Sequence, residues 1–175
     1  MLLNPNSDTA ASFDRPLQLL HACHGKLMHQ CGTLRNLVDH LNQHGSDGQA
    51  QQAAQAVLRY FTTAALLHHQ DEEEDLFPAL RATVPAGDTH MGALLADLEA
   101  AHIVLETQWQ ALQPLLQQLA EGTGTELPAE QVEAFVMGYF AHIAVEEKEL
   151  LPLAEYLLKP DQLAEMGQRM AARRT

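Results

Sequence analysis

The residues Leu17, Leu20, His24, Leu27, Cys31, Leu34, Val38 and Leu41 follow one another at spacings of 3, 4, 3, 4, 3, 4 and 3. That period puts all eight on one face of a long helix, and the face has to be covered by other helices. Asp14-Arg15-Pro16 predicts the start, with Asp14 as cap and Pro16 in the first turn. Gly45-Ser46-Asp47-Gly48 predicts the end. The same period returns three more times. A second helix is predicted from about Gln49 to Arg81, with Ala54, Val57, Phe61, Ala64 and His68 in its stripe. A third spans about Thr89 to Glu121 through Met91, Leu95, Leu98, His102, Leu105, Trp109, Leu112, Leu116 and Leu119, with a kink or local break expected at Pro114. The fourth runs from near Pro128 to about Leu158.

No strand-like alternation or hairpin signal interrupts these helices. Each rod would be about 40–50 Å long, and the short connections make antiparallel neighbours. The predicted fold is all-α: an up-down-up-down four-helix bundle over residues 14–160. A loose segment precedes it at 1–13, and a tail or short helix follows at 161–175.

Charge narrows the partners. Acidic residues outnumber Lys and Arg 23 to 10 among 175 residues, for a formal charge of −13. Such a surface argues against nucleic acid and anionic membranes. No apolar run reaches membrane-spanning length. The start, Met1-Leu2-Leu3-Asn4-Pro5, has no basic region followed by a long apolar one, so the cytoplasm is the expected compartment. Cys23 and Cys31 are eight residues apart in one predicted helix, about 12 Å along its axis, too far for a disulfide.

Ten histidines against ten Lys plus Arg point to metal chemistry. Each predicted helix carries one in its apolar stripe: His24, His68, His102 and His142. A single core histidine is usually a hydrogen-bonded core residue, but four, one per helix, can converge in a bundle on one volume. Carboxylates come with them. His68 to Pro78 and His142 to Pro152 share the pattern His-x-x-x-Glu-Glu-x-x-Leu-[Phe/Leu]-Pro, and Phe61 and Phe135 lie seven residues before each histidine. His and Glu at i and i+4 share a helix face, so one helix offers nitrogen and carboxylate to the same site. Glu72 and Glu146 could each bridge two metals. His69-x-x-x-Glu73 has the same spacing, but Ile143 stands at the position equivalent to His69, which favours the His68/Glu72 register. His21, His29, His40, His44, His69 and His90 are therefore expected at the surface or in loops. Glu73, Glu74, Asp75, Glu147 and Glu149 are expected on solvated faces.

Four His and two Glu exceed one tetrahedral zinc and are too nitrogen-rich for calcium or magnesium. Mixed imidazole and carboxylate suits iron, with manganese or zinc as alternatives. A ferritin-like site fits poorly, because the first helix has no Glu and the only Glu-x-x-His is Glu99 to His102.

From about Pro16 to Leu158 the sequence resembles the hemerythrin-like (HHE cation-binding) family. The marks are Ala22-Cys23-His24, the doubled His-x-x-x-Glu segments and His102, four elements in order on four helices. The resemblance implies a four-helix bundle holding two iron ions in a di-iron centre, with an oxo or hydroxo bridge. It implies Glu72 and Glu146 as bridging carboxylates, His24 and His68 mainly on one iron, and His102 and His142 on the other. Two departures stand out. The oxygen carriers have His-x-x-x-His in the third helix, where this chain has His102-x-x-x-Glu106; Glu106 is either a replacement ligand or a solvent-facing residue. The fourth-helix carboxylate is Glu146 at i+4, where the carriers have an Asp one residue later. Both make simple oxygen carriage doubtful. Tyr139, one turn before His142, and Trp109 read first as core aromatics; Tyr139 reads second as a hydrogen-bond donor to a bound oxygen species, and Trp109 second as an electron relay.

Three functions compete. The first is a di-iron protein binding or sensing oxygen or a related small molecule. The second is a di-iron enzyme handling nitric oxide or peroxide, or an iron-storage or repair protein. The third is a structural or zinc-binding bundle. A homodimer is compatible with each.

Overall fold

A computed structural model describes residues 12–85 and 87–175. The described residues are helical, without strands. The elements are α1 (Pro16–His44), α2 (Gly48–Phe61), α3 (Ala64–Asp71), α4 (Phe77–Thr83), α5 (Thr89–Ala120), α6 (Ala129–Val145), α7 (Leu151–Leu157) and α8 (Pro160–Ala172). A π-helical turn, Glu72–Leu76, joins α3 to α4, and a second, Glu146–Leu150, joins α6 to α7. The segment expected to be loose, 1–13, falls outside the described residues except at 12 and 13.

α1 starts at Pro16 with Arg15 at the cap position and no side-chain cap bond, so Asp14 does not cap it. Its end needs a residue at positive φ, and Gly45 supplies it at 74°. Asp47 caps α2 by accepting from the backbone N–H of Gln49 (3.0 Å) and Ala50 (2.9 Å).

The second predicted rod is not continuous. The hydroxyls of Thr62 and Thr63 bond back to the carbonyls of Leu58 (2.7 Å) and Arg59 (2.5 Å), competing with the backbone ladder where α2 gives way to α3. The break shifts the helix phase, so Ala65, not Ala64, is buried. By contrast α5 runs through Pro114 without the expected break. Pro114 is exposed, so the backbone groups it leaves unpaired lie on the outer face.

Each π turn follows from the repeated motif. Pro78 and Pro152 have no N–H to donate to the preceding turn. The N–H before each proline reaches back five residues instead: Phe77 to the carbonyl of Glu72, and Leu151 to that of Glu146. Both π turns therefore begin at the motif glutamates.

Helices α1, α2, α5 and α6 pack in a closed cycle. Their apolar faces form two core clusters. One holds Leu27, Leu34, Phe61, Leu112 and Phe135; the other holds Leu20, Leu76, Phe77, Leu98 and Leu150. The pairs Leu20 and Leu27 on α1, and Leu98 and Leu105 on α5, each straddle a histidine. A buried polar layer lies between the two clusters.

α8 crosses the π turn after α3. A Cβ at Gly167 would sit 1.9 Å from the Phe13 carbonyl oxygen, so glycine is what lets the chain around Phe13 lie against this helix. Asp71 and Asp75 are 0% and 1% exposed. Arg173 and Arg174 bond Asp71, and Arg169 and Arg173 bond Asp75. The expectation that Asp75 faces solvent is thus corrected, because α8 covers it with cations.

Candidate metal centre

The polar layer contains His24 from α1, His68 from α3, Glu72 and Glu146 at the heads of the π turns, His102 from α5 and His142 from α6, all buried. Six residues predicted from four separate rods meet in one place. Glu72 turns Oε1 towards His68 Nε2 (3.0 Å) and Oε2 towards His102 Nε2 (3.3 Å). Glu146 turns Oε1 towards His142 Nε2 (3.0 Å) and Oε2 towards His24 Nε2 (3.1 Å). Each carboxylate therefore faces the His24/His68 side with one oxygen and the His102/His142 side with the other.

Two outer carboxylates set the ring tautomers. Glu73 accepts from His102 Nδ1–H (2.6 Å), and Glu147 accepts from Nδ1–H of His24 and of His21 (2.8 Å to His21). A neutral imidazole that donates from Nδ1 presents a lone pair at Nε2. In each Glu-Glu pair the first residue enters the layer and the second holds a histidine from another helix. The reading of Glu73 and Glu147 as merely solvated is corrected. Glu73 is 46% exposed, which is how it reads as surface, yet one oxygen is committed inward. The doubled Glu-Glu in both copies of the motif was the available signal.

His69 is the second correction. Its ring lies 4.0 Å from that of His102, stacked at 16°, and 5.8 Å from that of Tyr139 at 22°. One nitrogen of His69 lies within 4.8 Å of donor atoms of Glu72, His102 and His142, while His24, His68, Glu72 and Glu146 form a second such group. Glu72 belongs to both. Ile143, the residue at the matching position of the second copy, is itself buried. An apolar residue there was a sign that the position faces inward. Glu106 is exposed, bonded to Gln110 Nε2 (2.9 Å), and stands outside both groups. Of the two readings of Glu106 the structure has the solvent-facing one, and the further nitrogen beside His102 and His142 belongs to His69.

The donor set fits a cation. His24 Nε2, both nitrogens of His68, His69 Nε2, Glu72 Oε2, His142 Nδ1 and both oxygens of Glu146 are buried without a hydrogen-bond partner. Buried polar atoms in such number are costly unless something satisfies them. His102 Nε2 and His142 Nε2 are 2.9 Å apart, close to the roughly 3 Å between adjacent donors that each sit about 2.1 Å from one ion.

Electrostatics agree. Burial opposes charge on His24, but the carboxylates of Glu146 and Glu72 outweigh it and raise the imidazole from 6.5 to about 9. His68 and His102 are likewise raised against the pull of burial, chiefly by Glu72. Glu72 is held well below its ordinary value: burial pushes it up, and His68, His102 and His24 more than reverse that. His69 goes the other way, well below 6.5, through burial and the neighbouring His102. It is neutral at neutral pH and needs no deprotonation to ligate.

The aromatic residues close one side. Phe61 packs against Trp109 (5.1 Å), Phe135 (5.1 Å) and Tyr139 (5.5 Å). Trp109 and Tyr139 are buried core residues, as their first reading held. A void of about 20 Å³ lies among Phe61, His69, Leu105, Glu106, Trp109 and Tyr139.

A family model described as the hemerythrin HHE cation binding domain matches residues 15–154. The chain belongs to the hemerythrin HHE family. A Haemophilus influenzae relative, described as an uncharacterized protein, is 37% identical over 164 residues, covering 94% of this chain and 92% of that one. In this hemerythrin HHE protein the match ends before α8, so the arginines that neutralise Asp71 and Asp75 lie beyond the matched residues. No helix among the described residues is long and apolar enough to cross a membrane. Cys23 and Cys31 are both free thiols.

Proposed function

We propose that this hemerythrin HHE protein is a cytoplasmic non-haem di-iron protein, an up-down-up-down bundle that binds or senses oxygen or a related small molecule. The supporting observation is the split of both carboxylates, with the two oxygens of Glu72 and of Glu146 serving different imidazole groups. A carboxylate placed so suits two cations better than one. His24, His68, Glu72 and Glu146 would hold one ion, and His69, His102 and His142, with Glu72 shared, the other. Five imidazoles and two carboxylates exceed what a tetrahedral zinc needs and favour iron.

A pair of ferrous ions would supply the electrons for binding an oxidising small molecule. The chain supplies selection by size and polarity. The void beside His69 holds about one water-sized species, and Phe61, Trp109 and Tyr139 give it an apolar wall. An enzyme of this kind would gain from a labile ligand that leaves room for chemistry, and Glu106, the candidate for that role, stands outside both donor groups.

Protein expressed in iron-replete cells is expected to carry two irons per chain by mass spectrometry. Adding oxygen to the anaerobic ferrous protein is expected to produce a ligand-to-metal absorption band. No spectral change would sink the oxygen reading, and an iron-free protein would sink the di-iron one.

Loading should also release protons. In metal-free protein at pH 7, His24 holds a proton that a metal must displace, and Glu72 favours the protonated form of His68 and His102 as well. Apparent metal affinity is therefore expected to rise with pH towards about 9, the raised value of His24. Metal-free stability runs the opposite way. A raised imidazole contributes stability that is complete below pH 6.5 and lost as pH climbs through about 9. Thermal melts of the two forms from pH 6 to 9.5 should diverge; parallel curves would contradict this.

A further inference from the structure

Among the site imidazoles, His24, His68, His102 and His142 are buried, and only His69 is partly exposed. It forms the floor of a cleft of about 440 Å³ between α3 and α5, together with His102. Glu73 and Glu106 line the walls, and Leu66 stands at the edge. One oxygen of Glu73 is held by His102 and one of Glu106 by Gln110, while the second oxygen of each makes no protein hydrogen bond among the described residues. His69 Nε2 is buried without a partner, and one nitrogen of His69 belongs to the inner donor group. His69 and His102 thus connect the cleft to the centre.

We propose that divalent cations load into the centre through the α3–α5 cleft, held in transit by the free oxygens of Glu106 and Glu73 and handed inward by His69. The proposal rests on the metal reading of the centre. The chemistry selects this opening. A hydrated dication shedding water needs anionic oxygen at each stage, because burying an uncompensated charge is prohibitive. The acidic chain draws cations towards it generally, and two carboxylates at a cleft concentrate them locally. The larger groove between α5 and α6, about 590 Å³, also reaches His142 and carries Asp97 and Glu149, but neither of those carboxylates bonds a centre imidazole, whereas Glu73 of the cleft bonds His102.

The test is anaerobic loading of metal-free full-length protein with ferrous ion, stopped at timed intervals by a chelator, with bound iron counted. Glu106→Gln is expected to slow loading about threefold to tenfold at low ionic strength, with the deficit shrinking at high salt and the final iron content equal to wild type. Leu66→Trp, which narrows the cleft without changing charge, should slow loading at every salt concentration. Glu126→Gln, an equal charge change in the connection between α5 and α6, should load at the wild-type rate. Wild-type rates in both Glu106→Gln and Leu66→Trp would overturn the route. So would slowing by Ala141→Leu in the α5–α6 groove with no effect of Leu66→Trp. Wild-type protein that takes up no iron would overturn the metal reading itself, and the route with it.

Discussion

Glu72→Ala protein is expected to retain only background metal after a loading that fills the wild type, a loss of affinity beyond about 100-fold. Glu72 is the one residue shared by both donor groups, with Oε1 at His68 and Oε2 at His102. Removing it takes an anion from both halves of the layer at once. Glu73→Ala makes the calibrating comparison, since Glu73 belongs to neither donor group and bears on the bound state by fixing the His102 ring from outside. Removal of an outer partner of that kind costs about 10–100-fold in metal affinity. Glu73→Ala protein should therefore still load at higher free metal, while Glu72→Ala protein should not. Competition against a chelator of known affinity, with far-ultraviolet circular dichroism confirming an intact helical fold, reads the difference. Equal affinities in the two variants would remove Glu72 from its central place.

The second large effect lies outside the layer. The double variant Arg173→Ala/Arg174→Ala is expected to lose about 3–5 kcal/mol of folding stability, the usual result of stripping the partners from a buried charge. Asp71 is fully buried, and its bonds are to Arg173 Nη1 (2.5 Å), Arg174 Nη1 (3.0 Å) and Arg174 Nη2 (2.6 Å). Neither single variant should approach that loss, because each leaves one guanidinium on Asp71. Asp75 keeps Arg169 in every case (2.6 Å). Adding Asp71→Asn to the double variant should restore much of the stability, since the amide carries no charge to strand. Thermal unfolding of the metal-free proteins at fixed pH measures all three, with a fall of about 10 °C or more expected for the double variant. A double variant within 1 kcal/mol of wild type would show that Asp71 finds water instead.

The two misread neighbours, His69 and Glu73, show where a linear reading stops. The motif repeat aligned His69 with Ile143, and a histidine opposite an isoleucine reads as a position free to vary. In the structure both side chains face inward, and only their chemistry differs. Adjacent helical residues differ by about 100° in direction, so His68 and His69 cannot share one narrow stripe. They can serve two neighbouring donor groups, and that needs a layer wide enough to hold both. Glu73 fails differently. Its side chain is half exposed, so any burial rule counts it as solvated, although one of its oxygens bonds α5.

Sequence alone determined that the chain is helical and where the long helices α1 and α5 run, because apolar period and glycine stops are local properties of the backbone and its side chains. It also determined that His24, His68, Glu72, His102, His142 and Glu146 occupy inward positions, because a polar residue kept in register within an apolar stripe has nowhere else to point. Only the tertiary structure decided which oxygen faces which ring, that His69 joins the layer and Glu106 does not, and that α8 neutralises Asp71 and Asp75. Those are contacts between elements far apart in the chain. Their geometry depends on helix phase, which the break at Thr62–Thr63 and the two π turns each reset by a fraction of a turn that no periodic count along the sequence contains.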